Sequence, residues 1–428
     1  MTRGVAAACL AACAACATAT HPRELVGVSA LPQDAIAPGP ARPPPAEDPI
    51  VGQALVRMAA LRDLPALRPV GGVTLPRAEL VTRLRAHVAA VYPEHAIAGE
   101  AQFAKLLGAI RGWVDYERAT FSLVGDEIAG FYEPEDETLY LPADLDARSG
   151  AAALVHEVVH ALQDQHFDLK RRERYVDGES DALLAQSCLA EGDATSAMAD
   201  FMMRDEGKTA LDAPDAALSH LVDESSPVPP YVQRSVFAPY TEGLRFVNAL
   251  RRRGGWDEVD RAWTRPALTT EQVLHPEKWE SGEAAIDVPA PAFAALGGGW
   301  GSVEVDRKGE LGARLVFESW TTPEQATRAA EHWGGDRVAM AKDGSRAALA
   351  WRIRYDDAPA PDADAHARDA FAILARAALG TTAAKTFACA ARASGATALA
   401  RKQRDVLVLV APEDCGALER WSAAVIGP

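Results

Sequence analysis

The chain has 428 residues, more than a single hydrophobic core usually serves, so two domains with appendages are expected. Apolar residues make up 48% and charged residues 24%, ordinary for a globular chain, and no run reaches the roughly 18–20 apolar residues of a membrane-spanning helix, which excludes a polytopic membrane protein. A formal charge of −16 at pH 7 argues against a nucleic-acid partner, because phosphate binding needs clustered Lys and Arg.

In chain order, Met1 to Gly4 is a basic start followed by a short run of small and apolar residues from Val5 to Ala17. That is the shape of a secretory signal, though a short one. Leu10-Ala11-Ala12-Cys13 resembles the lipobox of bacterial lipoproteins, with Cys16 a second candidate for the acylated residue. Residues 1–16 are therefore expected to be a signal and lipobox segment. Residues 17–49, rich in Ala and Pro, read as an extended tether. Such a chain is expected to be exported and lipid-anchored in a bacterial envelope, with no other membrane contact. Export also permits a disulfide between Cys389 and Cys415, although spacing alone does not establish one.

Helical periodicity begins near Ile50 and recurs over Pro76–Val91 and Glu100–Ile110. The segments Phe121–Val124, Ile128–Tyr132 and Thr138–Leu141 read as strands around a turn at Glu133-Pro134-Glu135-Asp136. Long helices follow over Ala151–Asp164 and Glu179–Arg204, then near Pro239–Arg252 and Trp256–Trp263. The Pro-rich stretch at 287–291 and the glycines at 297–299 mark a boundary, giving one domain over 50–288 and a smaller α+β domain over 289–428. In that smaller domain, strands are expected at Leu315–Trp320, Ala347–Tyr355 and Val406–Val410, alternating with helices at Pro323–His332, Ala363–Leu379 and Glu413–Val425.

The chemistry lies in His156-Glu157-Val158-Val159-His160. Residues four apart share one helix face, so both imidazoles can reach one metal. Glu157 is then close enough to take a proton from a metal-bound water. One zinc ion with three protein ligands and an open position suits this pattern. The neighbouring Leu154, Val155, Val158, Val159 and Leu162 indicate a buried helix, in which polar residues need a reason.

Two third ligands are available. His166 completes an HExxHxxGxxH spacing, but Gln163 stands where the turn-forming glycine would be, so the helix should continue and carry His166 away. Glu191 sits within an apolar stripe of Leu184, Cys188, Thr195, Met198 and Met202 on the next helix, where a carboxylate is costly without a compensating cation. Glu191 is favoured.

His156, Glu157, His160 and Glu191 together resemble the gluzincin pattern of zinc metallopeptidases, and Glu191-Gly192-Asp193-Ala194 is similar to the Glu-Gly-x-Ala segment of aminopeptidase-type members. Gly130 to Pro134, His156 to Leu169, Pro239 to Gly243 with Phe246-Val247, and Thr270 to Lys278 resemble a group of largely uncharacterised bacterial exported proteins. The resemblance covers about residues 120–280. It implies an α+β, zincin-like fold with a small sheet over the active-site helix, and zinc-dependent cleavage of a peptide or protein substrate. A catalytically inactive zincin-like lipoprotein serving as a binding module is the alternative. Gluzincins supply an oxyanion donor from the C-terminal lobe, for which His275 and Tyr240 are the candidates. Thr195 replaces the aspartate that often orients a zinc-bound histidine, leaving Asp193 as a weak substitute. Ile128–Tyr132 is a candidate edge strand for an extended substrate.

Overall fold

The structure is a computed structural model describing residues 48–212, 225–359, 361–381 and 386–427. The signal and lipobox segment, with Cys13 and Cys16, and all but the last two residues of the tether lie outside the described residues.

Helix α1 (Pro49–Arg62) starts at Asp48, whose side chain accepts the backbone N–H groups of Ile50 and Val51. Next come β1 (Gly71–Leu75), α2 (Arg77–Val91), α3 (Glu94–Leu106), α4 (Tyr116–Glu127) and the hairpin β2 (Phe131–Glu133) and β3 (Thr138–Pro142). The three strands form a small sheet in the order β1-β3-β2, with β1 parallel and β2 antiparallel to β3. β2 is therefore an edge. Helices α5 (Ala147–Phe167), α6 (Leu169–Arg172) and α7 (Ser180–Met203) follow, then α8 (Pro230–Thr264), α9 (Thr270–Leu274) and α10 (Pro276–Ser281). Gly254 and Gly255 leave helical geometry inside α8, so it runs as two segments.

The remainder contains β4 (Gly301–Asp306), α11 (Gly309–Phe317), α12 (Pro323–Ala330), β5 (Trp333–Asp343), β6 (Arg346–Tyr355) and α13 (Ala365–Leu379). It ends with β7 (Phe387–Arg392), β8 (Gly395–Lys402), β9 (Asp405–Ala411) and α14 (Cys415–Ile426). These strands form an antiparallel sheet in the order β4-β5-β6-β9-β8-β7. A Cys389–Cys415 disulfide ties β7 to the start of α14. The whole is α+β, with a small sheet among helices and a C-terminal sheet domain.

Two expected strands are helices instead. Phe121–Val124 lies in α4, where Asp115 caps the first turn and buried Phe121, Val124 and Ile128 fall at helical spacing. Leu315–Trp320 begins inside α11, with buried Leu311 and Leu315 four apart. Short apolar runs do not distinguish helix from strand by period alone.

One apolar core crosses the expected boundary near residue 288, running from Leu84 on α2 through Phe246 on α8 to Trp351 on β6 and Val408 on β9. Phe103 of α3 packs edge-on against Trp351, ring centroids 5.5 Å apart. Around it lie charged ties. Lys308 Nζ is 2.9 Å from Glu100 of α3 and 2.8 Å from Asp306, and Arg314 of α11 pairs with Glu242 of α8. Asp181, at the start of α7, accepts the backbone N–H and hydroxyl of Thr270.

Candidate metal centre

α5 and α7 face each other through apolar side chains, among them Val158, Val159, Leu162, Ala194 and Ala197, and the polar groups of the motif lie between them. His156, Glu157, His160 and Glu191 are all buried. His156 Nε2 lies 3.1 Å from His160 Nε2 and 3.2 Å from Glu191 Oε2, and His160 Nε2 lies 3.5 Å from the same oxygen. A tetrahedral zinc with bonds of about 2.05 Å has ligand-to-ligand edges of about 3.3 Å. The three atoms are thus spaced as three corners of such a tetrahedron. Glu191 Oε1 is buried with no hydrogen-bond partner among the described residues, a costly arrangement unless a cation compensates the carboxylate. The buried group can hold a metal ion.

Without a metal, burial works to lower the His160 pKa, but the facing Glu191 carboxylate overrides it and pushes it up to about 10. Glu191 is held well below the usual carboxylate range, against the effect of its burial, because both imidazoles face it. Metal binding must displace this proton, so affinity falls in acid.

Glu157 turns toward the sheet. Its Oε2 accepts the backbone N–H of Tyr132 on β2 at 2.9 Å, leaving Oε1 as the second acceptor. Burial raises its pKa above the ordinary carboxyl range, with the two histidines pulling against it.

The remaining candidates separate. α5 continues unbroken through Gln163, and His166 Nε2 meets the carbonyl of Pro65 at 2.7 Å, outside the metal group. Tyr240 packs along His156, rings inclined at 28° and centroids 6.1 Å apart. His275 is held elsewhere, its Nε2 3.0 Å from Glu310 Oε1 on α11. Asp193 is not the partner of a metal-facing histidine. It takes Arg62 Nε at 2.5 Å and Trp263 Nε1 at 2.8 Å. His160 instead meets Gln163, whose Oε1 lies 2.9 Å from His160 Nδ1 and whose Nε2 donates to the carbonyl of Ala190 at 3.0 Å. The sequence signal was available, since Gln163 is one turn after His160 on a buried face, but a glutamine there reads equally as a helix-continuing residue.

A narrow cleft reaches His160 and Glu191 between α2, β2 and the segment after α6. It shares His87, Pro134 and Glu173 with a wider outer groove of about 580 Å³. His87 Nδ1 lies 3.0 and 3.2 Å from the two carboxylate oxygens of Glu133. Neither His87 nor Glu173 stood out in the sequence, because a lone histidine on an amphipathic helix and a glutamate inside a basic run carry no spacing signal.

Comparison with known proteins leaves the centre unassigned. Residues 296–420 match a family described as a domain of unknown function (DUF8575), a stretch beginning after the last metal-centre residue. No curated protein and no solved structure matches the chain.

Proposed function

We propose that this chain is an exported zinc-dependent peptidase of the zincin type, with His156, His160 and Glu191 as the metal ligands and Glu157 as the base. The observation that carries the reading is the set of 3.1, 3.2 and 3.5 Å separations among three buried ligand atoms, with a fourth buried carboxylate, Glu157, on the same helix. A zinc ion held there supplies Lewis acidity, lowering the pKa of a coordinated water toward about 7 and polarising a substrate carbonyl. The chain's own groups do the rest. The Tyr132 N–H fixes Glu157 by one oxygen, leaving Oε1 to take the proton from the attacking water and deliver it to the departing amine. Its burial-raised pKa moves it toward the working range of a general base. Gln163 accepts from His160 Nδ1, which fixes the tautomer with the Nε2 lone pair free for the metal.

The Cys389–Cys415 bond suits an oxidising compartment and supports export. Lipid anchoring at Cys13 or Cys16 belongs to the same proposal. Glu157→Gln tests the chemistry. The variant keeps its zinc and loses peptide hydrolysis by roughly a thousandfold or more. Unchanged turnover in the zinc-loaded variant defeats the assigned base.

A further inference from the structure

Peptide hydrolysis at this centre calls for a second hydrogen-bond donor beside the metal, because the scissile carbonyl oxygen gains negative charge as water adds to its carbon. Both residues expected for that role from the sequence are otherwise placed. His275 is bound to Glu310, and Tyr240 is buried with its ring packed along His156.

The cleft itself offers few alternatives. Beyond His160 and Glu191, its described walls include the hydrocarbon side chains of Leu84, Phe131, Pro134 and Leu169. Three polar side chains remain. Tyr132 already donates its hydroxyl to Asp164 at 3.0 Å. Burial pushes the Glu173 carboxyl up to about 7, so it donates only while it keeps that proton and above that pH has acceptors alone. His87 is left. It stands on α2, its side chain 18% exposed, and it lines both the inner cleft and the outer groove.

The contact with Glu133 decides what His87 can do. With Nδ1–H given to that carboxylate, a neutral ring has only a lone pair at Nε2. The imidazolium carries a second N–H there and can donate. Three carboxylates bear on the ring: Glu133 from β2, Glu135 from the hairpin turn and Glu173 from the segment after α6. The cations of the same groove are Arg83 on α2, which pairs with Asp136, Lys170, which pairs with Glu135, and exposed Arg174. Burial works to lower the His87 pKa, but the bond to Glu133 and the surrounding carboxylates raise it above its ordinary 6.5.

We infer, resting on the peptidase reading above, that His87 is a catalytic residue whose Nε2–H binds the substrate carbonyl oxygen, and that Glu133 is the positioning residue that orients its ring. As the water oxygen bonds to the carbonyl carbon, the π pair moves onto the carbonyl oxygen, which accepts the Nε2–H hydrogen bond. The water proton passes to Glu157. When the C–N bond breaks, the pair returns to re-form the carbonyl and the amine leaves with the proton from Glu157. His87 keeps its own proton throughout. The group thus comes from a helix in the first quarter of the chain, well away from the motif in sequence.

The test uses the purified full-length protein, a fluorogenic peptide mixture, and zinc content measured for each variant. His87→Gln retains zinc and keeps KM within about threefold, while kcat falls on the order of a hundredfold. Glu133→Gln lowers kcat by roughly tenfold and moves the alkaline limb of the kcat–pH profile to lower pH, because His87 then loses its proton sooner. A structural role for His87 would lower zinc content or raise KM and leave that limb in place, overturning the assignment. A zinc-loaded His87→Gln variant with kcat within about twofold of wild type overturns it as well, yet leaves the peptidase reading standing. A zinc-loaded wild type that hydrolyses no peptide overturns both.

Discussion

Glu191 and Gln163 show how single residues set the centre. Glu191 was legible in the sequence because a carboxylate in the middle of an apolar helical stripe has few explanations, and the structure buries it against both imidazoles. Gln163 was legible only as the residue that keeps α5 helical, which sends His166 to Pro65. Its second role depends on where α7 packs, since its amide bridges His160 and the Ala190 carbonyl next to Glu191. Spacing along one helix cannot report that. Gln163→Leu is expected to preserve the fold and weaken zinc binding about 10- to 100-fold, the usual cost of losing a ligand-orienting partner. Competition with a chromophoric chelator measures it, and an unchanged affinity would show that Gln163 only packs.

At the scale of elements, the crossing of α7 and α8 places Glu191, the proposed third ligand. A Cβ on Gly192 would fall 2.2 Å from the Gly243 carbonyl, and one on Gly243 would fall 2.0 Å from the Cys188 carbonyl. Only glycine at both positions lets the two backbones approach this closely, one residue after Glu191 and one turn after Tyr240. Gly243→Ala is expected to cost about 1–3 kcal/mol or more through forced separation of the helices, and to loosen zinc with it. Thermal unfolding with and without chelator checks both. A variant as stable as wild type and with full zinc affinity would contradict the account. The elements themselves were unevenly legible. α5, α7 and both segments of α8 followed from long helical periods. β1, β4, β5, β7 and β8 were not expected, because strands such as Ala396, Ala398 and Ala400 on β8 pack small residues between other elements and lack the bulky alternation that marks a strand. Phe121–Val124 and Leu315–Trp320 failed for the converse reason, being short apolar runs whose helical identity rests on flanking residues.

For the molecule as a whole, the C-terminal sheet shares one core with α2, α3, α7 and α8, α7 also packs on α5 through a second apolar cluster at the candidate metal centre, and buried charges tie the lobes together. The composition shift near residue 288 marks a change of architecture and not a gap in packing. Lys308 illustrates the coupling. Buried between Glu100 and Asp306, it keeps its proton because those carboxylates outweigh the effect of burial. Lys308→Met leaves two buried carboxylates uncompensated and is expected to cost about 3–5 kcal/mol. Denaturant unfolding should then show a single earlier transition in which zinc release and loss of the C-terminal sheet coincide. Two separated transitions would mean that the lobes fold independently. The central claim is the identity of the metal ligands, and the most direct measurement is the zinc content of the purified protein beside Glu191→Ala and His166→Ala. The account predicts one zinc per chain in wild type and in His166→Ala, and none in Glu191→Ala. Zinc retained in Glu191→Ala, or absent from wild type after reconstitution, would contradict it.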